Sequence, residues 1–137
     1  MDITVMHLIG WAGTGKTKLM QQFSAENPGS IQILTPEKYG QTFDAAEVDW
    51  ENHSAVAVDD VLSWDQASVA EGIASLEGFA EKNGKKVIVV SQAEEDLSRH
   101  GVLLCTTPLV IRLEGNHQSL ALSYDGQHLT FPGTPAI

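Results

Sequence analysis

Gly10-Trp11-Ala12-Gly13-Thr14-Gly15-Lys16-Thr17 sets glycines, a lysine and a hydroxyl residue in the spacing G-x-x-x-x-G-K-[ST]. Each residue type has a physical use there. Glycines let the backbone wrap closely around phosphate oxygens and turn its N–H groups inward. A helix that begins at the loop adds the positive end of its dipole. Lys16 is placed to reach the β- and γ-phosphates, and the Thr17 hydroxyl to ligate Mg²⁺. The pattern therefore points to a bound nucleoside triphosphate, ATP or a close relative, cradled by residues Gly10 to Thr17. The motif requires a strand before the loop and a helix after it. Ile3 to Ile9 is an apolar run that reads as a buried strand, and Gly13 to Phe23 reads as a helix with Leu19, Met20 and Phe23 inward.

Two further runs end in polar groups. Ala55-Val56-Ala57-Val58 is followed by Asp59-Asp60. Asp59 is the candidate for holding Mg²⁺, and Asp60 the candidate general base, a carboxylate one water away from the γ-phosphate. The alternative for Asp60 is simply the start of the next loop. Val87 to Val90, flanked by Lys85-Lys86, ends in Ser91-Gln92. Strand tips carry ligand contacts in open α/β sheets, so Gln92 is a candidate for reading the γ-phosphate and orienting water. Its alternative is a solvent-facing residue beside a helix-capping Ser91.

The elements that must position these groups follow from the punctuation. Asn27-Pro28-Gly29 stops the first helix, and Ile31 to Leu34 is a second short strand. Residues 37 to 52 are acidic and irregular, with a short helix around Phe43 to Val48. Ser63-Trp64-Asp65-Gln66 has the form of a capping box, opening a helix that runs to Lys82 with Trp64, Ala67, Ala70, Ile73, Ala74 and Phe79 as its apolar surface. Asn83-Gly84 ends it. Glu94 to His100 reads as a short acidic helix, Val102 to Leu104 and Leu109 to Leu113 as strands. Leu120 to Phe131 reads as a hairpin about Asp125-Gly126. Apolar strands alternating with helices predict an α/β fold, a three-layer sandwich with a mainly parallel sheet and the C-terminal hairpin extending one edge.

The chain of 137 residues fits one domain, residues 1 to 137, with 42% apolar and 19% charged residues and no low-complexity tract. Eighteen acidic against eight basic residues give a formal charge of −10. That balance argues against an autonomous nucleic-acid-binding domain, because phosphate contacts come from Lys and Arg. The lone Cys105 suits a reducing compartment and reads as a small core residue. No signal peptide or bilayer-length apolar run is visible, so the expectation is a cytoplasmic protein with no direct membrane insertion.

Taken together, the loop, the apolar strand ending in Asp59-Asp60 and the apolar strand ending in Ser91-Gln92 resemble the additional-strand P-loop ATPases of RecA, FtsK and HerA type. Among these the chain is most similar to the small ATPases of phages and plasmids: morphogenesis proteins of the zonula-occludens-toxin type, packaging ATPases and conjugative-transfer ATPases. The resemblance covers roughly residues 3 to 113. It implies that the Gln92 strand lies between the loop strand and the Asp59 strand. It further implies ATP hydrolysis coupled to moving DNA or protein, usually in a homo-oligomeric ring or larger machine, with nucleic acid contacted indirectly. In such rings an arginine of a neighbouring subunit completes the site. Arg99 and Arg112 are the chain's arginines, and Arg99, in the polar helix after the Gln92 strand, is the better candidate. A solvated helix-end cation is its alternative. The chain departs from the family in its shortness, its acidity and an Asp where Glu usually follows the metal-binding Asp.

Other classes fit less well. Lys82-Asn83-Gly84-Lys85 does not match the guanine-reading Asn-Lys-x-Asp of GTPases, and Trp11 stands where partitioning ATPases carry a second lysine. A small-molecule kinase usually brings several arginines to the transferred phosphoryl group, and Lys82, Lys85 and Lys86 would have to replace them. A non-hydrolysing, ATP-gated binding module is the rival from another class. His7, His53, His100, His117 and His128 show no metal spacing, Trp50 and Trp64 read as packing residues, and Glu94-Glu95-Asp96 as a solvated helix face.

Overall fold

A computed structural model describes residues 3–10, 16–36, 41–113 and 122–131. Three runs of the chain are apolar almost throughout and become fully buried strands: β1 (Val5–Ile9), β3 (Ala55–Val58) and β4 (Lys86–Ser91). β2 (Ile31–Leu34) and β5 (Leu109–Arg112) are only partly buried and form the edges. The order is β2-β3-β4-β1-β5, and every pairing is parallel. β4 thus lies between β1 and β3, as the resemblance implies.

The register divides the side chains into two layers. Val5, Val56, Val58, Val87 and Val89 face one side, where Val69, Ile73, Leu76 and Ala80 of α2 (Gln66–Asn83) cover them. Met6, Leu8, Ala57, Ile88 and Val90 face the other, against Met20 of α1 (Lys16–Glu26). The result is the expected α/β three-layer sandwich. Among the described residues no helix is long and apolar enough to cross a membrane.

The second helix differs in detail from its reading in the sequence. Its N-cap is Asp65, whose carboxylate accepts from the Ser68 N–H at 3.0 Å. Ser63, the expected cap, lies instead in a 3₁₀ turn (Val61–Ser63) ahead of the helix. Gly84, at φ +68°, provides the expected stop. The buried face runs through Val69, Gly72, Ile73, Leu76, Glu77 and Ala80, while Ala67, Ala74 and Phe79 are exposed. Phe79 stacks on Trp50 at the surface, with ring centroids 5.2 Å apart.

Val102 to Leu104 is not a strand. The cause is Glu77, 1% exposed, whose carboxylate accepts from the N–H groups of Cys105 (2.7 Å) and Thr106 (2.9 Å) and from the Thr106 hydroxyl (2.6 Å). That anchorage curls the segment and leaves Cys105 exposed rather than in the core. Asp96 is likewise not part of a solvated face. It is 4% exposed at the start of α3 (Asp96–Arg99), and its carboxylate accepts from the N–H groups of Gln92 and Ala93. The C-terminal hairpin forms, as β6 (Ser123–Tyr124) and β7 (Leu129–Thr130), with Asp125 Oδ1 accepting from the Gln127 and His128 N–H groups. Its strands pair with each other as a separate two-stranded sheet. Leu129 and Phe131 pack on the α1 side, and Ser54, just before β3, donates to the Gln127 carbonyl at 2.7 Å. The hairpin therefore covers the amino-terminal end of the strands, opposite the Gly10 loop.

Two glycines of α2 should respond oppositely to the same change. A Cβ on Gly72 would lie 2.1 Å from Cδ2 of the buried Phe43 ring, whereas one on Gly78 would meet nothing within 4 Å. Gly78→Ala should raise stability by about 0.5–1 kcal/mol through helix propensity. Gly72→Ala gains the same term but overpacks a ring that cannot move aside, at about 1–3 kcal/mol. Its melting temperature should fall by several degrees while that of Gly78→Ala rises. Equal shifts in thermal melts would contradict the packing.

Candidate functional site

The carboxyl ends of β1, β3 and β4 bring the chemistry-bearing residues to one edge. Gly10, buried at the end of β1, donates its N–H to the Ser91 carbonyl at 3.1 Å, which joins the start of the loop to the tip of β4. Lys16 opens α1, and its Nζ donates to the Gly10 carbonyl at 2.5 Å. One residue on, the Thr17 hydroxyl donates to Asp59 Oδ2 at 2.7 Å, across 42 positions of sequence. Trp11, Ala12, Gly13, Thr14 and Gly15 lie outside the described residues.

Asp59 is 7% exposed. The edge strand β2 accepts its N–H at Leu34 O (3.0 Å), and the Trp64 indole N–H donates to its carbonyl (2.9 Å). Burial pushes its carboxyl above the ordinary value; the Thr17 hydrogen bond opposes this, Asp60 adds to it and Lys16 opposes it. Lys16 is shifted the other way: burial lowers its pKa, against the pull of Asp59 and Asp60. Hydroxyl and carboxylate oxygens 2.7 Å apart are donors suited to a hard divalent cation, which would also restore the charge that burial disfavours on Asp59.

Asp60 has φ +51° and ψ +73°, the sole described non-glycine residue with positive φ. Its Oδ2 accepts from the Ser63 hydroxyl at 2.5 Å. Gln92 is exposed on the turn after β4, at a cleft of about 570 Å³ shared with Ile9, Gly10, Leu62 and Arg112. Arg112 is ion-paired with Glu94. Arg99 is exposed at the end of α3, and no hydrogen bond or ion pair joins its side chain to a described residue.

His7 and Ser63 carry contacts that the sequence did not single out. His7 interrupts an apolar strand, which was its visible signal, and is 2% exposed. The Ser91 hydroxyl donates to the Ala93 carbonyl at 2.8 Å, so the 2.6 Å contact with His7 Nε2 is a ring N–H donated to Ser91 Oγ. Burial lowers the His7 pKa; Glu94 and Asp96 oppose that, and Arg112 reinforces it. The folded chain thus prefers neutral His7. Its full contribution is present above the ordinary value of 6.5 and is lost as pH falls through 6.5 toward the folded pKa, because only the unfolded chain takes the proton. Melting temperature should drop between pH 7.5 and 5.5, and His7→Gln, which keeps a donor for Ser91, should flatten that drop. A parallel pH profile for the variant would remove His7 as the cause.

The fold is a parallel α/β sandwich of the additional-strand arrangement, with β4 inserted between β1 and β3. The chain is similar to the crystal structure of domain III from the Thermotoga maritima replication initiation protein DnaA, at 18% identity and a TM-score of 0.52. The match covers 84% of this chain and 56% of that one, so the chain spans little more than half of the domain it resembles. The likeness is one of fold. No protein-family model matches the chain, and no curated protein matches it.

Proposed function

We propose that the chain binds MgATP and hydrolyses it to ADP and phosphate. The observation that carries this is the Thr17–Asp59 hydrogen bond, which sets the motif hydroxyl and the strand-end carboxylate side by side next to Lys16. In this reading Gly10 to Thr17 hold the phosphates, with the Lys16 ammonium on the β- and γ-oxygens. Thr17 and Asp59 would hold Mg²⁺, which would supply positive charge to offset that of the phosphates. Asp60 takes the proton of the attacking water, and Gln92 orients that water against the γ-phosphate. Arg99, exposed and without a partner among the described residues, is free to enter the site of a neighbouring copy.

The finer reading is that turnover drives DNA transfer, packaging or phage assembly within an oligomeric protein machine. The order of the three motifs supports it. Replication initiation, named for the DnaA domain of similar fold, is a nucleic-acid process of the same broad kind.

The test is phosphate release from MgATP by the purified chain across a range of concentrations, with and without chelation of Mg²⁺. Metal-dependent release that rises more steeply than linearly with protein supports hydrolysis at a shared site. Tight MgATP binding without release leaves the ATP-gated binding module, and release only with an added acceptor identifies a kinase.

A further inference from the structure

We propose that Ser63 is a positioning residue for Asp60, tethering one carboxylate oxygen so that the other faces the attacking water. The inference rests on the ATPase reading above and names a residue to which that reading gives no part. Asp60 sits in a turn that is clamped on both sides. Before it, the Trp64 indole holds the Asp59 carbonyl. After it, the Ser63 N–H donates to the Asp60 carbonyl at 2.9 Å, closing the 3₁₀ turn over the fully buried Val61. The left-handed backbone of Asp60 costs free energy that an ordinary turn would avoid, and such strain concentrates at functional positions.

The side chain is fixed as well as the backbone. Ser63 Oγ donates to Oδ2 at 2.5 Å, and Oδ1 makes no hydrogen bond to a described residue. The carboxylate so held directly follows Asp59, whose own carboxylate accepts from the Thr17 hydroxyl. An aspartate is one methylene shorter than the glutamate usual at this position in the ATPases it resembles. A shorter arm tolerates less error in direction, and free rotation of the carboxylate would spread Oδ1 over orientations unsuited to proton transfer. Ser63 is exposed.

Ser63→Ala and Ser63→Thr test this through steady-state and single-turnover phosphate release, with equilibrium MgATP binding and thermal melts alongside. Ser63→Ala should lower kcat by roughly 10- to 100-fold with KM and nucleotide affinity unchanged. Ser63→Thr, which restores the hydroxyl, should recover turnover to within about two-fold. Unchanged kcat in Ser63→Ala, or a fall that threonine does not rescue, or one that follows lost nucleotide binding, overturns the inference and leaves the ATPase reading standing. A parent chain that binds MgATP but releases no phosphate sinks both.

Discussion

Lys16→Ala should weaken MgATP binding by roughly 10²- to 10⁴-fold, the worth of two hydrogen bonds from an ammonium to phosphate oxygens at about 1.5–3 kcal/mol each. Without nucleotide, Lys16 holds the Gly10 carbonyl and faces Asp59 and Asp60. Burial disfavours its charged form, against the pull of Asp59 and Asp60, and the negative charge of a triphosphate would favour that form further. Lys16→Arg should fail nearly as badly, because a wide planar guanidinium does not reproduce the compact point charge of an ammonium. Thermal melts give a direct readout. MgATP at about 100 times its dissociation constant should stabilise the parent by about 2.7 kcal/mol, a shift of roughly 8–10 °C for a chain of this size. Lys16→Ala should show no shift at the same concentration while melting cooperatively by itself. An undiminished shift in the variant would place the nucleotide elsewhere.

The strands and the cluster at their tips were legible because their signals are local and strong. Ala55 to Val58 and Val87 to Val90 are continuous apolar runs of the kind only doubly covered strands tolerate, and each ends in polar residues at the carboxyl edge of the sheet. What escaped depended on contacts between distant segments. Val102 to Leu104 has strand-like composition, yet Glu77, some 28 positions earlier, captures the following N–H groups and bends the segment away. Asp96 reads as one more surface acid until its carboxylate is seen to cap the Gln92 turn. The Ser63-to-Gln66 spacing fits a capping box, but Asp60 draws the Ser63 hydroxyl backward and Asp65 caps the helix in its place. His7 looked inert because no partner stands near it in sequence; Ser91, 84 positions on, reaches it only through the β1–β4 pairing.

Asp60 is where stability and activity should part. Its φ of +51° is costly for a residue with a Cβ and free for glycine, while aspartate and asparagine tolerate it better than alanine. Asp60→Gly loses the Ser63 hydrogen bond but relieves the backbone, so its stability should stay within about 1 kcal/mol of the parent. Asp60→Ala loses the same hydrogen bond and keeps the strain, which should make it the least stable of the three by about 1–2 kcal/mol. Asp60→Asn keeps both an acceptor for Ser63 and the tolerance of this backbone, and should melt with the parent. All three lack the carboxylate, so phosphate release should fall by roughly 10²- to 10⁴-fold in each, with MgATP binding retained. Stability in the order glycine, aspartate and asparagine above alanine, beside turnover confined to aspartate, would separate the strain from the chemistry at a single residue. Equal stability of the glycine and alanine variants would mean the backbone is unstrained. Turnover surviving in the asparagine variant would mean that a group other than Asp60 accepts the proton or that the water needs no base.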